Sequence, residues 1–385
     1  MKKVLLIALA AFLAGGLLFA TDTSNNYRRE VYAQDARMMA LGNAFTAVVD
    51  DGNALFYNPA GLAYLRYSDF ILGTSFLMEF TPEGMDKLLE EEEIPIEDVL
   101  DRFTFIPRAI YAERGWAVGA LIDRHLYPIS FDEESGNFVM EVEQKLGLAA
   151  GMGINLGPLA VGGNVRLFKD HKTTLAENTL GMTDSDFFSL LLFEGFSDTL
   201  EAENKIEVGA GALVTLGSLS AGIYIDKLLD ILEGADGDGY EGVLGSALQT
   251  ANVGVAFEPF SQKTARRRGL LNIMLAADLK NLGDDDMRVF SAGTEVGLRL
   301  GNAITASARL GYSQPLPGEL ADAFSGYNPD DGEIAFGIGA KALALDLNFA
   351  MTMPAQLLID PPDEEVQFGA YPYGPRFMVS GGLRF

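Results

Sequence analysis

RFMVSGGLRF, residues Arg376–Phe385, is the stretch whose reading decides the fold. Phe377, Val379, Leu383 and Phe385 fall on one side of an extended chain, and Arg376, Ser380 and Arg384 on the other. A soluble edge strand can look like this. A membrane-spanning β-strand must, because one face meets lipid and the other a polar lumen.

Working back from that end, the same alternation recurs to Arg66, broken by Gly-, Pro- and Asp-rich stretches. Strands are expected near 66–80, 103–112, 115–125, 139–156, 159–170, 203–216, 218–226, 248–259, 269–280, 288–300, 303–313, 332–340, 341–352 and 374–385, about fourteen in all. Three of them show the two faces well. In 290–300, Phe290, Ala292, Val296, Leu298 and Leu300 oppose Ser291, Gly293, Glu295, Gly297 and Arg299. In 304–312, Ile304, Ala306, Ala308, Leu310 and Tyr312 oppose Thr305, Ser307, Arg309 and Gly311. In 206–216, Ile206, Val208, Ala210, Ala212, Val214 and Leu216 oppose Glu207, Gly209 and Gly211. The polar faces are rich in Gly, Ser, Thr and isolated charges, which suits a confined lumen better than open water.

The links alternate in length. Short ones are expected at Glu113–Gly115, Gly157–Pro158, Gly217–Ser218, Gly301–Asn302 and Ala340–Lys341. Long ones are expected at 81–102, 126–138, 171–202, 227–247, 281–287, 314–331 and 353–373. Outer-membrane barrels have this order because periplasmic turns are short and extracellular loops long. An even strand number puts both termini on the periplasmic side. One link departs from the order, the basic stretch FSQKTARRRG at 260–269, read as a solvated link or a lipid-headgroup contact.

The other end of the chain reads as a signal peptide over residues 1–20: Lys2 and Lys3, an uncharged apolar Val4–Phe19, and a small Ala20. The expected organisation is then 1–20 signal, 21–64 a small N-terminal segment, and 65–385 the barrel. After the signal no apolar run reaches transmembrane-helix length, although 48% of the chain is apolar. A net charge of −26 argues against nucleic-acid binding. The acids gather between apolar segments, at Glu90–Glu93, Asp284–Asp286, Asp330–Asp331 and Asp363–Glu365, as solvated loops do. Asp236 and Asp238 lack the spacing of a calcium loop. There is no cysteine and only His125 and His171, each read as a strand-end or loop residue. No metal site, cofactor or enzyme signature is expected.

Two long links carry their own pattern. Residues 84–100 have helix-like acidic spacing. Residues 182–200 hold Phe187, Phe188, Leu191, Phe193 and Phe196. Such a cluster must be buried somewhere, either packed over the barrel mouth or as a landing groove for an apolar ligand.

Residues 33–63, AQDARMMALGNAFTAVVDDGNALFYNPAGLA, do not alternate. Arg37, Ala40, Leu41, Gly42, Ala44, Ala47, Asp50, Asp51, Ala54 and Asn58–Leu62 carry a pattern that resembles the N-terminal hatch of FadL-type outer-membrane transport proteins and of their PorV and spirochaetal UPF-type relatives. Ala277–Leu282 (ADLKNL), Gly293–Glu295 and Ala308–Tyr312 resemble strand motifs of the PorV-like branch. The resemblance implies an all-β fold: a transmembrane antiparallel barrel of fourteen strands with a small hatch in its lumen. In the FadL branch it implies that hydrophobic substrates bind on the extracellular side, pass the hatch and leave sideways into the membrane. Asp50, Asp51, Asn58, Pro59, Ala60 and Gly61 are the expected hatch motif, with the two aspartates pairing to lumen arginines such as Arg166, Arg299 or Arg309. Glu295 and Asp346 are further expected lumen charges. The terminal Phe385 resembles the signal by which outer-membrane barrels are recognised by the barrel-assembly machinery.

The expected function is a channel for hydrophobic molecules such as long-chain fatty acids, in contact with outer-membrane lipid. The alternatives are a PorV-like barrel that docks or shuttles secreted proteins, or a structural outer-membrane porin.

Overall fold

The computed structural model describes residues 35–48, 51–65, 68–82, 84–85, 100–132, 137–178, 199, 202–229, 245, 247–259, 270–284, 287–300, 304–316, 318, 332–359 and 374–384. Fourteen strands follow two short helices, α1 (Ala36–Ala40) and α2 (Ala54–Tyr57), and a 3-10 helix (Pro59–Tyr64). They are β1 (Asp69–Phe80), β2 (Leu100–Glu113), β3 (Trp116–Asp132), β4 (Asn137–Leu156), β5 (Leu159–Asn178), β6 (Asn204–Leu216), β7 (Leu219–Ile225), β8 (Ala251–Phe257), β9 (Leu271–Lys280), β10 (Val289–Leu300), β11 (Ile304–Pro315), β12 (Glu333–Ala342), β13 (Leu345–Pro354) and β14 (Arg376–Arg384). A short α3 (Gln356–Ile359) follows β13. Each strand pairs antiparallel with its sequence neighbours, and β14 returns to β1 to close the barrel. Every strand expected from the alternation is present.

Burial runs opposite to that of a water-soluble protein. Leu72, Met152, Leu216 and Ile338 point outward at 50–64% exposure. Arg102, Glu333, Asp278 and Ser380 point inward and are buried. Apolar side chains outside and charges inside are stable only where the surrounding solvent is lipid. Among the described residues no helix is long and apolar enough to cross a membrane, so the crossing falls to the strands.

The seam between first and last strands is held by more than its ladder. Arg376 of β14 reaches Glu79 of β1 at 3.5 Å and also pairs with Glu333 of β12, while Arg102 of β2 pairs with Glu79. A two-residue slip would preserve the faces but separate these charges, so they help specify register.

Four expectations are corrected. The turn placed at Ala340–Lys341 lies at Leu343–Ala344, because the ladder continues through Lys341 opposite Asp346 to Ala342 opposite Leu345. The long link placed at 126–138 is mostly strand: β3 runs to Asp132 and β4 starts at Asn137. Beside it, β5 runs on to Asn178, into the link expected at 171–202. His125 and His171 therefore sit within strands, not at their ends. In this extension Leu126, Met140, Val142 and Leu175 form a covered apolar cluster. Charges such as Glu143 and Lys172, 3.0 Å apart, pair across the ladder. A charged face in water has the composition of a loop, so the alternation fades before the strands end.

Candidate functional site: the occupied lumen

Residues 35–48 and 51–65 pack against the inward face of the barrel. The first turn is built around Asp35, the N-cap of α1. Its Oδ1 accepts from the Met38 N–H (2.9 Å) and its Oδ2 from Arg108 Nη2 of β2 (2.9 Å). One residue into the helix, Arg37 donates from Nε and Nη2 to Glu295 of β10 at 3.0 and 3.3 Å. The same carboxylate accepts from Arg309 Nε of β11 at 2.6 Å, and Arg309 Nη1 donates to Asn348 of β13 at 2.9 Å. Asp51 lies 3.6 Å from Arg37.

The expected pairing of the hatch aspartates is thus corrected for Asp51. Its partner Arg37 belongs to the same segment, and Arg37, not an aspartate of that segment, shares Glu295 with Arg309. Helix α1 and the Asp51 turn are close in sequence, so this pair closes only a short loop of chain. Arg166 pairs instead with Glu207 at 3.2 Å and with Asp226. Arg299 lies on the inward face of β10 opposite Thr305. Asp50 falls outside the described residues, as do Phe187, Phe188, Leu191, Phe193, Phe196 and Phe385.

The Asn58–Gly61 motif behaves as its chemistry suggests. Asn58 caps the 3-10 helix: its Oδ1 accepts from the Ala60 N–H at 3.2 Å, and Pro59 has no N–H to leave unsatisfied. The Asn58 amide donates to Thr46 O (3.0 Å), Ala212 O of β6 and Ile223 O of β7 (both 3.4 Å). One buried side chain therefore ties the segment to itself and to two strands. Close approach of backbone to wall requires glycine in places. A Cβ on Gly162 of β5 would sit 2.5 Å from Ala60 N, and one on Gly311 of β11 2.5 Å from the Leu41 carbonyl carbon.

Asp278 of β9 was visible in sequence only as part of a resemblance. It proves to be an anchor: its Oδ2 accepts from the N–H groups of both Phe45 and Thr46, each at 2.7 Å. The available signal was an acid at an inward position flanked by small residues, Gly254 on β8 and Ser291 on β10. Asn164 of β5, which donates to Leu55 O at 2.6 Å, gave no signal at all.

Contacts go all the way round. Gly52 N–H donates to Asp69 of β1 and Ala36 N–H to Ser380 of β14. Leu55 lies against Gly119 of β3, Pro59 against Gly153 of β4, Thr46 against Gly254 of β8 and Ala40 against Gly337 of β12. With α1 packed on β13, all fourteen strands meet the segment on their inward side. A cavity of about 40 Å³ remains between it and β13, β14, β1 and β2, lined by Asp35, Arg37, Asp51, Arg108, Asp346 and Asn348. That is room for a few water molecules, at roughly 10–15 Å³ each. Among the described residues no group of His, Asp or Glu could hold a metal ion.

No family model and no curated protein matches the sequence. Among solved structures, the chain is similar to a FadL homologue of Pseudomonas aeruginosa: 10% identity over 92% of this chain and 98% of that one, TM-score 0.47. It is similar also to the Pseudomonas putida toluene transporter TodX (12% identity, 96% and 98% covered, TM-score 0.47). A third is the Ralstonia pickettii toluene transporter TbuX (10% identity, 93% and 100% covered, TM-score 0.46). These are likenesses of overall architecture. The chain is a fourteen-stranded transmembrane β-barrel whose residues 35–48 and 51–65 pack along its inward face.

Proposed function

We propose that the protein is a bacterial outer-membrane channel for hydrophobic molecules, long-chain fatty acids among them, with residues 21–64 as its hatch. The observation that carries the reading is a segment in contact from within with all fourteen strands, through hydrogen bonds to some and close packing against the others. An open porin needs a clear lumen, whereas a barrel that keeps charge pairs and glycine contacts for an inner segment is built to be closed at rest. The apolar character of the cargo is supported by the Phe187–Phe196 cluster, set in the long link between β5 and β6. Residues 1–20 direct export, and Phe385 presents the chain to the assembly machinery.

The reading is tested in planar bilayers and by binding. Wild-type protein should show little ion conductance, and removal of residues 35–64 should raise it. A wild-type barrel that conducts as an open pore sinks the hatch. A radiolabelled long-chain fatty acid should bind saturably to wild type. Replacing Phe187, Phe188 and Phe193 by Ser should weaken that binding about tenfold or more, since each buried aromatic contributes roughly 1.5–3 kcal/mol. No saturable binding by wild type would leave the cargo unidentified and favour a docking or structural role.

A further inference from the structure

The lipid-facing wall differs in height around the barrel. β7 and β8 have 7 residues each, against 12 in β1, β10 and β11. At about 3.3 Å per residue and a tilt of about 40°, seven residues rise roughly 18 Å and twelve roughly 30 Å, on either side of the ~25 Å apolar band of a membrane barrel.

The low sector is bounded by polar groups at both ends. Gly217 and Ser218 turn below β7, and Asp226 and Lys227 stand above it; Gln249 and Thr250 precede β8, and Glu258 follows it. Asp226 is drawn inward by Arg166, while Lys227 is exposed. Between these limits Leu219, Ile223 and Val255 are 40–49% exposed and point outward. They continue the apolar belt of Val214 and Leu216 on β6 and Leu271 on β9. Leu248, 42% exposed, lies just beyond the polar boundary, where an apolar side chain suits the headgroup layer of a bilayer drawn down to the strand ends.

A bilayer of ordinary thickness would bury Lys227 or the Gly217–Ser218 backbone in hydrocarbon. Unsatisfied backbone and charge there are costly, whereas thinning costs little per ångström. We propose that the bilayer thins on one side of this barrel, against β7 and β8, so that this sector holds an annulus of compressed lipid chains. The proposal depends on the membrane barrel and not on its cargo.

The chain has no cysteine, so single labelling sites can be introduced cleanly. Leu219→Cys and Ile225→Cys mark the two ends of β7, and Val296→Cys marks mid-wall on the tall β10. Each variant carries a spin label and is reconstituted in phosphatidylcholine vesicles of 12-carbon or 18-carbon chains, after heat-modifiable migration shows assembly. Both β7 labels should keep headgroup-level access to a water-soluble relaxation agent in both lipids. The Val296→Cys label should read hydrocarbon in both. A β7 label that sinks into hydrocarbon when the chains lengthen overturns the proposal. So does spin–spin broadening between β7 labels, which would show a second copy covering the sector. If Ile225→Cys fails to assemble, Ile223→Cys serves: it should read shallower than Val296→Cys and stay unchanged with chain length, and equal depth to Val296→Cys overturns the idea.

Discussion

Glu295 and Val296 are adjacent in β10 and obey different rules. Val296 points outward, 40% exposed, and touches whatever lipid is there. Glu295 points inward, 9% exposed, and holds two named arginines, Arg37 and Arg309. The outer face demands a property, apolarity, and any side chain with that property will serve. The inner face demands particular partners, because a buried charge without one is expensive. A closed barrel multiplies this contrast: its outer stripes act independently, while its inner stripes converge on one segment.

Four single substitutions, with one second-site change added to the first, would break or sharpen the contrast. The largest effect is expected from Glu295→Leu, which leaves Arg37 and Arg309 facing each other without their carboxylate. A loss of about 3–5 kcal/mol in urea-unfolding stability is expected, with increased ion leakage. Adding Arg309→Leu should restore part of it, since Arg37 keeps Asp51 at 3.6 Å while Arg309 loses its carboxylate; no recovery would mean the network is not what fails. Next comes Val296→Arg, expected to lower stability by about 2–4 kcal/mol near the bilayer midplane without raising conductance. If it is silent in vesicles, the outer face of β10 does not meet lipid.

Gly311→Ala should follow, at about 1–3 kcal/mol. The added carbon meets the Gly42 and Leu41 backbone, and neither is a flexible side chain that can swing away. Its signature is leakage through a barrel that still migrates as folded on gels; unchanged conductance would show that the inner segment yields freely. The smallest effect belongs to Val296→Leu, within about 0.5 kcal/mol of wild type. A large loss there would mean that the outer face is as particular as the inner one.

Much of the wall was legible because lipid and lumen impose opposite chemistry at a period of two. That signal held wherever a strand lies inside the bilayer, as in 290–300 and 304–312. It faded in the far ends of β3, β4 and β5. There Glu141, Glu143 and Lys172 face water, and a strand with a wet face looks like a loop. The Leu343–Ala344 turn was misplaced by a few residues for a related reason: Ala340 and Ala342 are too small to mark a face.

The site was legible in part. The cap that Asn58 places on the Pro59–Tyr64 turn is local chemistry between neighbouring residues. Asp51 beside Arg37, Asp278 on the Phe45 and Thr46 N–H groups and Asn164 on the Leu55 carbonyl are pairings that no local pattern displays.

By itself the sequence determined the alternation, and with it the number of strands, their two faces and the lipid solvent outside. It also determined the break in that alternation at 33–63, which marks a segment unlike the rest. Only the tertiary structure decided which inward residues meet that segment. Arg37 reaches Glu295 across 258 positions and Phe45 reaches Asp278 across 233. Periodicity carries information over neighbours two apart. Contacts at such separations are set by closure of β14 on β1, which brings all fourteen inner faces around one short stretch of chain.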